Sequence, residues 1–247
     1  MKWWHTFYDQ TFAERMLAAA QPQELDFILD QLQLEPGQRV FDQCCGPGRL
    51  SRPLAERGLE VVGVDWVQSY VDAANASCAG LPCRFEQGDA GSFVAAPACH
   101  GALNAYSSFG YSSDDEENRQ LLERVRESLL PGGRFLLDTI NAARVLRDFR
   151  PRLERVYPDG FRLVRECRLD WRRGMLEQDW TYHECDGTTR RTRGDTRLYL
   201  PHHLVNLLER SGFAVERLFG GYDGADFEMD SPRLIVLARK DDGGAVR

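Results

Sequence analysis

Hydrophobic and polar positions follow two alternating periods along the first part of the chain. Short apolar runs at residues 39–42, 60–64, 83–86, 101–104 and 134–138 are typical of buried strands. Amphipathic stretches at helical spacing lie between them, and the strongest, at 114–130, begins with acidic residues that suit the positive end of a helix dipole. This alternation predicts parallel β-α-β units with helices on both faces of one sheet.

The period changes after about residue 150. Stretches 153–157, 161–171, 175–184 and 189–199 are rich in β-forming residues and are separated by glycine-containing turn signals. A helix is predicted at 201–210, followed by strands at 213–219 and 234–238. The predicted fold is therefore α/β, with a doubly wound, mostly parallel seven-stranded sheet and an antiparallel β-meander insertion after the fifth strand.

Four segments follow from this pattern. Residues 1–34 are predicted to be an N-terminal helical segment, residues 35–150 and 200–240 the α/β core, residues 151–199 the antiparallel insertion, and residues 241–247 a disordered tail. No stretch approaches the roughly 18 consecutive apolar residues of a membrane span. The first ten residues lack the apolar run of a signal peptide, so we expect a cytoplasmic protein without a membrane anchor.

Composition and charge restrict the possible partners. The 247 residues carry 31 Lys and Arg against 38 Asp and Glu, a net charge of −7, which does not favour binding to nucleic acid. Between residues 144 and 197, however, 14 Arg outnumber 10 Asp and Glu. The seven cysteines form no C-x-x-C pair, which favours reduced thiols and argues against a metal site.

Candidate chemistry begins at residues 40–48, Val-Phe-Asp-Gln-Cys-Cys-Gly-Pro-Gly, where a strand runs into a glycine turn and a helix. Gly46 and Gly48 allow a ligand to approach the backbone closely. Asp65 ends the next strand, where an acid is well placed to bind ribose hydroxyls. Asp89 and Asn104 follow the third and fourth strands. Polar groups after four consecutive strands predict a ligand crevice at this edge of the sheet.

Over about residues 3–240 the sequence resembles the class I S-adenosylmethionine-dependent methyltransferases. Residues 40–48 are similar to that family's first motif, V-L-D-x-G-C-G-x-G, with Cys44 in place of the first glycine. Residues 61–65, Val-Val-Gly-Val-Asp, resemble its run into the ribose-binding acid, and residues 107–111 and 129–135 resemble its fourth-strand and fifth-strand signatures. The resemblance implies a Rossmann-like fold with S-adenosylmethionine as cofactor and S-adenosylhomocysteine as product.

The resemblance also implies roles for particular residues. Asp42, Gly46 and Gly48 would surround the methionine part of the cofactor, and Asp65 would hold both ribose hydroxyls. The other cofactor-binding residues implied are Trp66 against the adenine, Asp89 and Ala90 at its edge, the backbone of Asn104 or Ala105 at the methionine amino group, and Cys44 in the turn. Tyr8 is similar to a tyrosine that closes over the cofactor in related enzymes, or it only packs between helices. Arg49, which follows the glycine turn, either faces the carboxylate of the cofactor or substrate or only begins a solvated helix.

Methyl transfer requires alignment of the acceptor more than a dedicated acid or base. Tyr106 and Tyr111 flank the expected transfer point, and each either positions an acceptor lone pair or only packs. The resemblance implies a small-molecule acceptor methylated at nitrogen, oxygen or carbon. It also implies that residues 1–34 act as a lid and that the insertion covers the substrate or forms a homodimer surface. Alternating charge on the strands of the insertion is also typical of a solvated face, so that alternative stays open.

Three alternatives remain open at this stage. A non-catalytic scaffold would bind the cofactor without turnover, because fold does not fix function. An RNA or nucleotide methyltransferase would share the chemistry, but residues 104–107, Asn-Ala-Tyr-Ser, lack the prolines of an N-P-P-Y motif. A dehydrogenase is disfavoured because its G-x-G-x-x-G frame ends here in Ser51.

Overall fold

The computed structural model describes residues 2–9, 12–13 and 20–241. The elements in chain order are α1 (Trp4–Phe7), α2 (Pro22–Leu32), β1 (Arg39–Gln43), α3 (Ser51–Glu56), β2 (Glu60–Asp65), α4 (Gln68–Ser77), β3 (Cys83–Gln87), β4 (Cys99–Asn104), α5 (Asp115–Ser128), β5 (Leu129–Ile140), α6 (Ala142–Arg147), β6 (Arg152–Val156), β7 (Arg162–Asp170), β8 (Met175–His183), β9 (Thr189–Arg197), α7 (Pro201–Arg210), β10 (Phe213–Phe219) and β11 (Arg233–Lys240).

Seven of these strands form one twisted sheet in the order β10-β11-β5-β4-β1-β2-β3. Strands β1 to β5 are mutually parallel, whereas β11 runs antiparallel to both β5 and β10. Strands β6 to β9 form a separate antiparallel meander inserted between β5 and β10. The predicted seven-stranded, mostly parallel sheet with an insertion after the fifth strand is confirmed.

Helices cover both faces of the large sheet and bury its apolar side chains. Helices α2, α3 and α4 pack on one face, and α5 and α7 pack on the other. A hydrophobic core lies on each face of the sheet. In each core, apolar side chains from alternate strand positions pack against helix side chains spaced at i, i+3 and i+4. The largest fully buried side chains of these two cores include Phe41, Phe109, Phe135, Phe219, Ile28, Leu54, Leu103 and Leu122.

Local sequence signals explain where the helices begin and end. Helix α2 begins with Pro22 in its first turn and a reciprocal capping box between Gln21 and Glu24, and it ends at Gln33 in a left-handed conformation. The Asp114 side chain caps α5 by accepting a hydrogen bond from the Glu116 amide at 2.9 Å.

The structure differs from the sequence prediction at three places. Strand β5 begins at Leu129, although a helix was predicted to residue 130 and a strand only from 134, because Leu129 already pairs with Cys99 before the register shifts to Gly101 and Arg134. Helix α6 was not predicted; Asn141 caps it by accepting from the Arg144 amide at 3.2 Å.

The third difference concerns the N-terminal segment, in which two separate helices are described. The predicted N-terminal helical segment of residues 1–34 contains the short helix α1 and the longer helix α2, and residues 1, 10, 11 and 14–19 lie outside the described residues. Residues 242–247 of the predicted tail also lie outside them. Among the helices described, none combines the length and the apolar character that crossing a membrane would require.

The insertion sheet has two chemically different faces, because successive strand residues point to opposite sides and paired residues share a side. We call inner face the side formed by Leu153, Arg155, Leu163, Arg165, Cys167, Leu169, Leu176, Gln178, Trp180, Tyr182, Arg190, Thr192, Gly194 and Thr196, and outer face the opposite side. The inner face packs against the N-terminal segment. A Cβ atom on Gly194 would lie 2.9 Å from the Phe7 ring, so this contact requires glycine.

We expect Gly194→Ala to lower the free energy of unfolding by about 1–3 kcal/mol, because the added methyl group overpacks the Phe7 ring. Combining it with Phe7→Leu should cost less than the sum of the two single changes, since the smaller side chain makes room. Urea denaturation measures both, with Thr192→Ala on the same face as control. A Gly194→Ala protein as stable as the wild type would contradict the close contact.

Candidate active site

The turn after β1 brings two neighbouring strands together. The Cys45 amide donates to the Val64 carbonyl at 3.0 Å, and the Gly46 amide donates to Asp65 Oδ2 at 2.9 Å. Gly46 has a φ of 55° and open space where a Cβ atom would lie, so this part of the turn leaves room for a ligand. Gly48, with a φ of 83°, faces away and packs on Ala74 of α4.

Cys44 keeps the left-handed conformation that its place in the turn requires. Its φ is 62°, a region that side chains other than those of Gly, Asn and Asp adopt rarely and at a cost. Its Sγ atom lies 3.9 Å from Asn104 Nδ2. Burial, followed by the neighbouring carboxylates of Asp65 and Asp42, raises the pKa of the Cys44 thiol well above its usual value. Cys44 is therefore a neutral thiol in the cavity wall.

Asp65 stands at the end of β2 with both carboxylate oxygens engaged by backbone amides. Oδ2 accepts from Gly46 and Oδ1 accepts from Val67, each at 2.9 Å. Burial raises the pKa of Asp65, while these hydrogen bonds act in the opposite direction. Because a carboxylate offers about four lone-pair positions, two remain for hydroxyl groups of a ligand.

Asp42 lies deeper, at the end of β1. The Ser51 hydroxyl donates to its Oδ2 atom at 2.5 Å. Burial raises the pKa of Asp42 to about 7, and the Ser51 hydrogen bond only partly offsets this. Asp42 is therefore poised to change its protonation state near neutral pH.

The loop after β3 supplies an exposed carboxylate and the loop after β2 an aromatic ring. Asp89 is exposed, and its Oδ1 atom accepts from the Gly91 amide at 2.8 Å. Trp66 is 39% exposed, which is unusual for so large an apolar side chain. With Ala90, these residues line one end of the cavity, where a flat heterocycle could stack.

A buried amide pair joins the strand ends beneath the cavity. Asn104 Nδ2 donates to Gln43 Oε1 at 3.0 Å, and Gln43 Nε2 donates to the Ala90 and Leu121 carbonyls at 3.2 and 3.0 Å. Both side chains are fully buried. Asn104 Oδ1 has no hydrogen-bond partner within the described part of the chain. Gln43 was not singled out from the sequence, because its role depends on contacts 47 and 78 residues away.

Two successive left-handed residues follow β4. Tyr106 and Ser107 have φ values of 59° and 66°, and the buried Asp138 holds them in place. Asp138 Oδ2 accepts from the Tyr106 amide at 2.9 Å, and its carbonyl accepts from the Ser107 amide at 3.0 Å. Arg233 donates to both Asp138 Oδ1 and Ser107 Oγ, and the Tyr222 hydroxyl donates to Asp138 Oδ2 at 2.9 Å. Strained backbone held this firmly is typical of a functional site.

Arg49 occupies the wall next to Tyr106. Its guanidinium group forms a two-pronged ion pair with Glu24 of α2, at 3.1 and 3.3 Å, and lies 3.4 Å from the centre of the Tyr106 ring. Much of its charge is thus matched by Glu24. The sequence predicted that Arg49 faces the carboxylate of the cofactor or substrate, whereas in the structure it faces the carboxylate of Glu24.

The N-terminal segment closes one side of the cavity with aromatic side chains. The hydroxyl groups of Tyr8 and Tyr111 share a short hydrogen bond, and burial raises the pKa of both phenols, so both are neutral. The Trp3 ring packs 4.8 Å from that of Tyr111, and the Tyr70 hydroxyl donates to the Asp9 carbonyl at 2.7 Å. The segment is therefore bound to the core by polar as well as aromatic contacts.

These groups surround one cavity of about 360 Å³. Of the fourteen residues predicted from the sequence, twelve line it: Tyr8, Asp42, Cys44, Gly46, Arg49, Asp65, Trp66, Asp89, Ala90, Ala105, Tyr106 and Tyr111. Gly48 packs on α4, and Asn104 lies beneath the cavity floor. Their proposed roles stay predictions, because position alone does not assign chemistry.

Comparison with known sequences gives consistent matches. Residues 40–133 match the family model of a methyltransferase domain. A 23S rRNA (uracil(1939)-C(5))-methyltransferase of Shewanella sp. strain MR-4 is 31% identical over 52% of this chain and 28% of its own length. A demethylmenaquinone methyltransferase of Renibacterium salmoninarum is 31% identical over 44% of each chain. This chain spans less than half the length of either relative.

Solved structures match over nearly the whole chain. The CcbJ methyltransferase of Streptomyces caelestis superposes with a TM-score of 0.82 at 17% identity, covering 94% of this chain and 95% of that one. The glycopeptide N-methyltransferase MtfA complexed with sinefungin has a TM-score of 0.62 at 26% identity, covering 95% and 90%. Both likenesses include the insertion as well as the large sheet, because they extend over more than nine-tenths of this chain.

We expect the stability of the cofactor-free protein to fall as pH rises toward about 7. Folding holds a proton on Asp42 that the unfolded chain, with a carboxyl pKa near 3.9, releases; each unit of difference is worth about 1.4 kcal/mol. The loss therefore begins above about pH 4 and is complete above about pH 7. Asp42→Asn should flatten this component in urea denaturation across pH, and the exposed Asp30→Asn should not. Identical profiles for all three proteins would contradict the raised pKa of Asp42.

Proposed function

We propose that this chain, a member of the class I S-adenosylmethionine-dependent methyltransferases, transfers the methyl group of S-adenosylmethionine to a nitrogen atom of a small-molecule amine. Family membership is supported by the methyltransferase-domain match and by the fold. The transfer and its acceptor are our proposal. The observation that carries it is that one cavity is lined both by the strand-end residues Asp65, Trp66 and Asp89 and by the tyrosines Tyr8, Tyr106 and Tyr111.

The charge of the cavity suits a positively charged cofactor. The two cationic side chains that line it within the described part of the chain are already paired, Lys2 with Glu117 at 3.0 Å and Arg49 with Glu24 at 3.1 Å. Among the described residues, no cationic side chain lies within ion-pairing distance of the cavity carboxylates Asp42, Asp65 and Asp89. The sulfonium and ammonium groups of S-adenosylmethionine would compensate this negative charge.

The donor and acceptor groups also suit the parts of the cofactor. Asp65 has carboxylate lone pairs for the two ribose hydroxyls, and the exposed Trp66 ring offers a stacking surface for the adenine. Asn104 Oδ1, which lacks a partner among the described residues, is an acceptor close to the turn that would surround the amino acid part. The residues present therefore fit S-adenosylmethionine.

When bound, the cofactor supplies a methyl group activated by the adjacent sulfonium, so the protein has mainly to align the acceptor. Correct alignment is worth roughly 7–11 kcal/mol of the barrier. Tyr106 is held rigidly by Asp138 and Arg49, so its ring forms a fixed wall of the cavity. Tyr8 and Tyr111 remain neutral, and their hydroxyl oxygens can accept an amine N–H and orient the nitrogen lone pair.

A nitrogen acceptor is supported by the likeness to the glycopeptide N-methyltransferase, which covers nine-tenths or more of both chains at 26% identity. The rRNA and demethylmenaquinone acceptors named for the curated relatives belong to proteins of which this chain spans less than half. The net charge of −7 also gives no general attraction for RNA. A cofactor-binding scaffold without turnover is the alternative against which the activity is tested.

Asp65→Asn should weaken S-adenosylmethionine binding by about tenfold to a hundredfold, because a hydrogen bond to a charged group is worth about 1.5–3 kcal/mol. Isothermal titration calorimetry measures the affinity. Asp72→Asn, an exposed carboxylate on α4, serves as the matched control and should bind normally. Equal affinity of the Asp65→Asn and wild-type proteins would contradict the assignment of the ribose site.

The acceptor is tested by incubating the protein with S-adenosylmethionine and three separate panels, of small amines, small alcohols and phenols, and single-stranded RNA. We expect S-adenosylhomocysteine to form with one or more amines, and mass spectrometry should place the added methyl on nitrogen. Turnover only with RNA or only with hydroxyl compounds would refute the acceptor class. Cofactor binding without turnover in any panel would favour the non-catalytic scaffold.

A further inference from the structure

The positive charge of the insertion is distributed unequally between the two faces of its sheet. On the outer face, Arg152, Arg162, Arg168 and Arg193 each lie within 3.6 Å of a carboxylate. Their acidic partners on that face are Glu154, Glu166, Glu177, Asp179 and Asp195. The outer arginines are thus largely neutralised, and the excess of arginine in this segment concerns the inner face.

Three inner-face arginines lie over aromatic rings: Arg155 lies 4.6 Å from the centre of the Tyr157 ring, and Arg165 and Arg190 lie over rings of strand β8. Arg165 lies 5.0 Å from the centre of the Trp180 ring, and the described residues place no carboxylate within ion-pairing distance of it. Arg190 lies 4.1 Å from the Tyr182 ring, and its Nη1 atom pairs with Asp9 of the N-terminal segment at 2.8 Å. Trp180 and Tyr182 are stacked on each other, with their ring centres 6.3 Å apart, so the two guanidinium groups lie on neighbouring rings. We call the surface formed by Arg165, Trp180, Tyr182 and Arg190 the ledge.

Three polar atoms of this ledge are buried with no hydrogen-bond partner among the residues that the structure describes. They are Trp180 Nε1, Tyr182 Oη and Arg190 Nη2. Tyr182 is completely buried, with its hydroxyl beside the Arg190 guanidinium. Buried polar groups are normally satisfied, and three on one surface point to a missing partner. Trp180 Nε1 and Arg190 Nη2 can only donate, whereas the Tyr182 hydroxyl, which lies beside the Arg190 guanidinium, can donate or accept. A group with acceptor oxygens would therefore satisfy the two obligate donors.

The ledge is adjacent to the cofactor cavity. The Trp180 ring lies 5.2 Å from that of Phe7 and 6.3 Å from that of Phe12, and Phe12 itself lines the cavity. Asp9, the ion-pair partner of Arg190, is joined through its carbonyl to Tyr70, another residue of the cavity wall. Among the described residues, Phe7, Asp9 and Phe12 of the N-terminal segment thus connect the ledge with the cavity wall.

We propose that the inner face binds an anionic, oxygen-bearing group of the methyl acceptor, a carboxylate or a phosphate. Arg165 and Arg190 supply the charge, and Trp180 Nε1 and the Tyr182 hydroxyl supply further donors, in the pattern of charge-assisted hydrogen bonds. In the absence of the acceptor, the Asp9 carboxylate pairs with Arg190, and the anionic group of the acceptor would replace it there. This inference rests on the proposed function, and it narrows the acceptor to an amine that also carries an anionic group.

The test uses inorganic phosphate as the probe and the full chain as the protein. Phosphate is titrated calorimetrically at constant ionic strength into the wild type, Arg165→Gln, Arg190→Gln and Trp180→Phe. We expect saturable binding to the wild type, weakened at least about tenfold in each arginine variant, since a charge-assisted hydrogen bond is lost. Trp180→Phe keeps the ring and removes only the N–H donor, so it should weaken binding without unfolding the sheet.

Arg168→Gln is the matched control, because Arg168 belongs to the same strand as Arg165 but lies on the ion-paired outer face. It should bind phosphate as the wild type does. Absence of saturable binding to the wild type, or equal weakening in Arg168→Gln, would overturn the proposal. Single-stranded RNA bound far more tightly than phosphate through the same two arginines would overturn it in favour of a macromolecular partner.

Cofactor affinity is measured on the same preparations. Phosphate binding that fails while S-adenosylmethionine still binds refutes the anion site alone. Failure of S-adenosylmethionine to bind refutes the proposed function, whatever phosphate does. The two conclusions therefore rest on separate measurements.

Discussion

The two backbone hydrogen bonds to the Asp65 carboxylate are the interaction on which the cofactor side of the cavity depends. They fasten the turn after β1 to the end of β2, with Gly46 on one oxygen and Val67 on the other. The parallel register, in which Asp42 stands opposite Gly63, brings these strand ends level. The same carboxylate shapes the turn and has lone pairs left for a ligand, so Asp65 contributes to the fold and to recognition at once.

The acceptor side has a comparable anchor in Asp138. It is buried without exposed surface, and it is satisfied by Arg233, the Tyr222 hydroxyl and the Tyr106 amide. Removing one partner from such a group leaves a buried charge uncompensated, which is far more costly than losing a surface ion pair. The strained backbone at Tyr106 and Ser107 persists because this network determines it from several directions.

The order of elements and most of the cavity were predictable because both follow from local patterns. Strand β10 and helix α7 have the bounds that the hydrophobic period gave, and the acids of the crevice stand at strand ends. The support behind the cavity was not predictable. Asp138 and Arg233 are 95 residues apart in the sequence, and Gln43 is 78 residues from Leu121, to which it donates a hydrogen bond. No local sequence pattern predicts contacts between residues so far apart. Residue type alone also gave no hint that Arg49 is matched by Glu24.

The insertion shows why net charge is a poor guide to a surface. Its excess of arginine, taken as a whole, is compatible with a solvated sheet, a dimer surface or a substrate cover. Once the pairing register assigns each residue to a face, the outer carboxylates are seen to neutralise the outer arginines. Arg155, Arg165 and Arg190 then remain on the inner face, and the last two lie beside donors that lack partners among the described residues. Buried donors of this kind are not typical of a solvated sheet, and they are the observation behind the proposed anion site.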